Sequence, residues 1–137
     1  MSIYVPALVL GIYTMLFYFH LGLSRNKAIK AREVDYRYYG TFAGGEEPKW
    51  LQVKSRHAAN LLEMPMLFYA VVLMIHTSGA TSPLFLGLAW AFVGARFVHA
   101  VVHLTVNHVL YRFLSFAVGV AILLAMWVLL LVRLVTI

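Results

Sequence analysis

The chain has 137 residues, of which 63% are hydrophobic and 12% charged; its net charge is +6 and it has no cysteine. A soluble domain is about half apolar and about a quarter charged, so an ordinary water-soluble enzyme is excluded. Without cysteine there is no disulfide, no thiolate metal site and no thiol nucleophile of the chain's own, and any sulfur chemistry needs an imported thiol.

The apolar excess is concentrated in four blocks, Tyr4–Leu23, His57–His76, Pro83–Val106 and Phe113–Val132. Each is near the ~20 residues that cross a bilayer as a helix. They predict an all-α fold, an integral membrane four-helix bundle forming one domain over residues 1–137. The first block lacks the basic leader and small-residue cleavage site of a signal peptide, so it reads as a retained span.

Eight of the eleven Lys/Arg residues fall between Arg25 and Arg56, in the first loop, together with Glu33, Asp35, Glu46 and Glu47. By the positive-inside rule this loop is cytoplasmic and both termini lie outside. The host is a bacterial inner membrane or an organellar one. Because the basic residues flank spans and form no recognition motif, no nucleic-acid partner is expected. In "YGTFAGGEEPKW", Gly40, Gly44, Gly45 and Pro48 call for turns. Whether the loop folds over the bundle is left open by its composition.

"HTSGATSP" (76–83) forms the short outer loop, with Gly79 and Pro83 stopping one helix and starting the next. "TVNHVLYR" (105–112) makes a tight inner turn. Tyr4, Trp50 and Tyr111 sit where interfacial aromatics belong. In the third block, Gly87, Ala91, Gly94 and Ala95 predict a close helix–helix approach. The fourth block carries no charge and is expected to be the most lipid-exposed helix.

Ionisable residues inside spans cost about 2.5–3.5 kcal/mol each and are usually turned inward and paired. On the second span, Arg56, Asn60 and Glu63 follow i, i+4, i+7 and share one stripe. On the third, Arg96, His99 and His103 follow i, i+3, i+7, and Arg112 opens the fourth. Glu63 and Arg96 both lie about 15 Å from the loop-side surface at a rise of ~1.5 Å per residue. The two stripes are therefore expected to meet, with Glu63 facing Arg96.

A register-fixing ion pair accounts for Glu63, and it is compatible with a ligand role. Asn60 serves equally as an interhelical hydrogen bonder, and Arg56 and Arg112 as interfacial anchors. Pro65 is expected to kink its helix beside Glu63. His99 and His103 with Glu63 would make a two-histidine, one-carboxylate set; the fixed charge of Arg96 one turn away argues against a cation, and no metal is expected. A pocket with these arginines, Asn60 and Glu63 suits an anionic zwitterion of peptide character. Its charges would favour a bound thiolate, and the membrane would supply an apolar second substrate. Glutathione meets these demands, and other anions do as well.

Two segments resemble a known family. "RHAANLLEMP" resembles the second-helix signature of MAPEG, the membrane-associated proteins in eicosanoid and glutathione metabolism. "ARFVHAVVHLTVNHVLYRF" is similar to the third-helix segment of that family. The resemblance implies a homotrimer with glutathione as cosubstrate, bound between protomers near the cytosolic side. Arg56, Asn60 and Glu63 would bind the tripeptide, with Arg96 and His99 in support. Arg112 would be the catalytic cation stabilising the thiolate, and Arg25 a further ligand contact. The chain departs from the family pattern in three places. His103 stands where a tyrosine is common, Ala59 where some members have a second arginine, and Phe113 where a small hydroxyl residue follows Arg112. His103 can still donate a hydrogen bond. The implied activity is a membrane glutathione transferase or peroxidase acting on lipophilic electrophiles; the alternative is a non-catalytic lipid-binding or scaffolding member.

Overall fold

The computed structural model describes residues 2–136. Its helices are α1 (Tyr4–Lys30), α2 (Tyr38–Thr41), α3 (Lys49–Thr77), α4 (Pro83–Leu104) and α5 (Val109–Val135), and no strand occurs among the described residues. All but α2 are long and apolar enough to cross a membrane.

The helices outrun the apolar blocks on the side of the first loop. Helix α1 continues to Lys30 and α3 begins at Lys49, so charged residues extend both beyond the hydrocarbon. At about 1.5 Å per residue, the 29 residues of α3 reach about 43 Å, against a hydrocarbon core of about 30 Å. Helix α3 also runs on through Pro65 rather than ending there.

Local chemistry accounts for the ends. Gly79 takes φ 68° after α3. Its N–H donates to the His76 carbonyl at 3.1 Å, and that of Ala80 to Ile75 at 2.9 Å. This is the paired closure that favours glycine. The same pair of bonds closes α1, with Arg32 at φ 59° in the glycine position. Helix α4 opens with Ser82, whose hydroxyl accepts from the Phe85 N–H at 3.4 Å, and with Pro83 in the first turn.

Packing is strongest between α1 and α3 and between α4 and α5, with α3 joining the two pairs. Away from the first loop the core is fully apolar. Phe68 and Phe92 stack there with ring centroids 4.5 Å apart, and Leu10, Val72, Leu123 and Met126 surround them. On the loop side, Phe17, Leu21, Leu51 and Leu61 form a second apolar cluster between α1 and α3. Helix α5 is the least covered span, with 22% of its apolar window buried against 39% for α3 and α4.

Within the chain, the small-residue stripe of α4 makes no helix–helix approach. Gly87, Ala91 and Gly94 are exposed, and nothing lies within 4 Å of a side chain built at either glycine. The glycines that face neighbouring side chains are Gly119 of α5, where an added Cβ would meet Arg96 Cδ at 3.8 Å and Phe92 at 3.9 Å, and Gly11 of α1, where it would meet the Tyr69 hydroxyl at 3.8 Å, all ordinary packing distances. Spacing defines a stripe on a helix, but the apolar face of Phe85, Ala89, Phe92 and Val93 decides which way α4 turns.

Candidate functional site

The buried face of α4 changes character halfway along. Phe85, Ala89, Phe92 and Val93 are followed on the same face by Arg96, His99 and His103. Arg96 is only 2% exposed. Its Nη2 donates to the Asn60 carbonyl at 3.0 Å, and its guanidinium carbon lies 5.9 Å from the Phe116 ring centroid. The acceptor is one residue before Leu61, whose carbonyl Pro65 cannot bond for want of an N–H.

Helix α3 adds His57, fully buried, and α1 adds Tyr13, whose hydroxyl lies 3.0 Å from His57 Nε2. The His57 ring centroid is 5.5 Å from that of His103 and 6.4 Å from that of His99. His57 Nδ1, His99 Nε2, both ring nitrogens of His103 and Arg96 Nε are buried without a protein partner. Buried polar atoms are normally satisfied, and these five have no protein partner. No three His, Asp or Glu side chains among the described residues are placed to hold a metal ion.

Helix α5 orients one of these rings. The Ser115 hydroxyl donates to the Arg112 carbonyl at 3.0 Å, so its lone pair accepts from His99 Nδ1–H, also at 3.0 Å. A neutral imidazole with its proton on Nδ1 presents Nε2 as an acceptor. Arg112 opens the helix, and its Nη1 donates to Asn107 Oδ1 at 3.0 Å. Asn60, His99 and Arg112, with Val109, Phe113 and Phe116, line a groove of about 350 Å³. That lies within the ~300–1,000 Å³ usual for small-molecule sites.

The candidate residues thus divide. Asn60, His99 and Arg112 share the groove; Arg96 and His103 are buried within the bundle; Arg56 and Glu63 are exposed on α3. The Asn60 amide turns back to donate to the Arg56 carbonyl at 3.2 Å. The expected contact of Glu63 with Arg96 does not form: the sole ion pair within 4 Å among the described residues joins Arg25 to Glu47. Depth follows from helical rise, but rotation is set by the core stripe. His57, Leu61, Pro65 and Phe68 face inward on α3, which carries Glu63 around to the outside. The same stripe is the signal that His57 belongs to the polar layer. Tyr13 and Ser115 carry no comparable signal, because their partners come from other helices.

Arg25 lies elsewhere, in a clasp between α1 and the first loop. Its Nε donates to Glu47 Oε1 at 3.1 Å, Ser55 donates to Glu47 Oε2 at 2.6 Å, and the guanidinium carbon sits 5.1 Å from the Tyr39 ring centroid. Burial and the neighbouring Glu47 carboxylate push the Tyr39 phenol up to about 12. The loop therefore folds against the bundle rather than away from it.

No curated protein and no solved structure matches the chain. The sequence model of the MAPEG family matches residues 3–132, nearly the full length, and the four apolar helices agree with a multi-pass membrane protein of that kind. Membership supports a membrane function related to glutathione or eicosanoid metabolism. The chain belongs to the MAPEG family.

Proposed function

We propose that the protein is a membrane glutathione transferase, with glutathione as cosubstrate and a lipophilic electrophile supplied from the bilayer. The observation that carries this reading is the groove where Asn60, His99 and Arg112 converge beside Phe113 and Phe116. Among the described residues no carboxylate lies within 4 Å of Arg112, so its charge is available to an anion. A cysteine thiol titrates near ~8.5, and an adjacent cation lowers that value and raises the thiolate fraction at neutral pH. Asn60 offers amide contacts, and His99 Nε2 accepts from a peptide N–H or an ammonium. The two phenylalanines give the electrophile an apolar approach. In the reaction the sulfur–carbon bond forms as the electrophile's leaving group departs with its electron pair, and the thiol proton passes to solvent. Reduction of lipid hydroperoxides would draw on the same thiolate.

We read the assembly as a homotrimer with the first loop cytoplasmic. Arg56 and Glu63 support the trimer: ionisable groups facing lipid are costly, and a neighbouring copy on that flank of α3 would cover them and complete the ligand set. Arg96 and His103 then support the site from within, and Arg25 acts through the loop.

The test is glutathione-dependent conjugation of a small aryl halide by the detergent-solubilised protein. Arg112→Ala is expected to lower kcat/KM by about 100-fold, the scale of losing one charge-stabilising donor. Absence of glutathione binding by calorimetry at millimolar concentration overturns the reading. The second reading, a non-catalytic lipid-binding or scaffolding protein, is favoured by a separate groove of about 470 Å³ between α1 and α3, lined by Leu8, Gly11, Ile12, Met15 and Tyr69. It predicts an amphiphile that co-purifies with the Arg112→Ala variant as it does with the wild type.

A further inference from the structure

On the loop side, away from the Arg112 groove, two adjoining cavities of about 580 and 410 Å³ share His20, Trp50 and Lys54. The larger is also lined by Ser24, Lys27 and Glu33, and the smaller by Phe17, Val53 and Leu104. The lysines, Ser24 and Glu33 lie together at one end of α1 and α3, and Phe17, Val53 and Leu104 line the adjoining cavity between α1, α3 and the end of α4, with Thr105 and Asn107 at its α4 side.

Lys54 is the centre of the polar part. Its ammonium lies 2.9 Å from His20 Nε2 and 3.0 Å from the Ser24 hydroxyl, and 5.4 Å from the Trp50 ring centroid. A lysine ammonium has three N–H donors, so these contacts leave one for a further acceptor. An ammonium cannot accept, so His20 Nε2 receives the bond with its lone pair and the local charge is that of Lys54. Among the described residues no carboxylate approaches Lys54 or Lys27 within 4 Å. The one acid lining the cavity, Glu33, is engaged by the Trp50 indole N–H at 2.9 Å.

The depth suits a headgroup. Helix α3 exceeds the hydrocarbon thickness, so its first turns, which hold Trp50 and Lys54, lie at the membrane–water boundary with the last turns of α1. Tryptophan and lysine favour that level. Next to it, Leu16, Phe19 and Leu23 of α1 are exposed and offer a surface for acyl chains.

We infer that this cleft is a binding site for an anionic phospholipid of the leaflet on the first-loop side. Lys54 and Lys27 hold the phosphate, Ser24 donates to it, and the chains lie along α1 beside Phe17 and Leu104. A zwitterionic lipid brings its own ammonium and gains less from the two lysines.

The experiment is native mass spectrometry of the detergent-solubilised protein, titrated with phosphatidylglycerol or with phosphatidylcholine of the same acyl chains. Wild type is expected to retain phosphatidylglycerol in preference. Lys54→Gln should lose about fivefold in that retention, the worth of one lysine beside an anionic surface. Lys54→Arg, which keeps the charge, should hold the lipid, and Lys30→Gln, an equal charge change outside the cleft, should leave retention unchanged. Equal retention of the two lipids overturns the inference, as does the same loss in Lys30→Gln as in Lys54→Gln. Full displacement of phosphatidylglycerol by glycerol phosphate also overturns it, by showing that the cleft binds a soluble phosphate rather than a lipid.

Discussion

The half of the bundle far from the first loop is filled by apolar side chains, whereas the half near it buries a polar layer beside its own apolar cluster. In the far half, Phe68, Phe92, Val72 and Met126 are buried against one another and no ionisable group lies among them. In the near half, the continuation of the same α4 face buries Arg96, His99 and His103, met by His57 from α3. The apolar half gains contact at little cost in hydration, its buried unpartnered polar atoms being the Tyr69 hydroxyl and the Trp127 indole N–H at the margin of the cluster. The polar half gives up hydration at atoms left without protein partners, a cost of about 1–3 kcal/mol for each unsatisfied group. Such a layer persists where it serves recognition or chemistry, and the groove of Asn60, His99 and Arg112 adjoins it.

Substitutions on either side break or sharpen this contrast. The largest effect is expected from Phe68→Ala in the apolar half. Phe68 is fully buried and stacked on Phe92, and its loss should cost about 3–5 kcal/mol, read as a lowered thermal midpoint in detergent. In the polar half, His103→Leu should leave stability unchanged or raise it by about 1 kcal/mol, because neither ring nitrogen has a protein partner to lose. The same variant should weaken glutathione binding by calorimetry. A destabilisation like that of Phe68→Ala would mean that His103 is satisfied after all and that the two halves are alike.

The loop clasp at the near end gives smaller effects. Glu47 is 6% exposed and accepts from Arg25 and Ser55. Glu47→Ala removes the partner of a cation that is itself about one-third exposed, so solvent screens the loss to roughly 1 kcal/mol. Its clearest sign should be faster tryptic cleavage at Arg32 and Arg37. The smallest effect concerns pH. Tyr39 is held neutral by burial and by Glu47, with its phenol raised from the ordinary 10.0 to about 12. Its contribution to stability is therefore complete below pH 10 and is lost as pH rises from 10 to about 12. In a spectroscopic titration of phenolate, a step near pH 12 should be lost in Tyr39→Phe; an unchanged step there would show that Tyr39 is not held up by burial and Glu47.

Much of this architecture is legible in the chain. Four apolar blocks, a basic loop and the Gly79–Pro83 break define the spans; of the first-loop glycines, Gly44 takes the expected turn at φ 79°, whereas Gly40 lies inside the short helix α2. The junctures that were harder to read are those where helical rotation matters. Gly87 and Gly94 have the spacing of a contact stripe yet face outward within the chain, while Gly119, unremarked by any pattern, packs against Arg96 and Phe92. Glu63 shares the depth of Arg96 but not its direction. Arg25 could not be separated from the other arginines by sequence, because its partner Glu47 is 22 residues away across a loop.

By itself, then, the sequence determined that the chain has four helices long and apolar enough to cross a membrane, how far along its helix each ionisable group sits, and which family it belongs to. These follow from hydropathy and from a constant rise per residue, both local properties. Only the tertiary structure decided which of those groups meet. Each helix turns to bury its own apolar stripe, so whether Arg96 faces Glu63 or the Asn60 carbonyl depends on the packing of α3, α4 and α5 together.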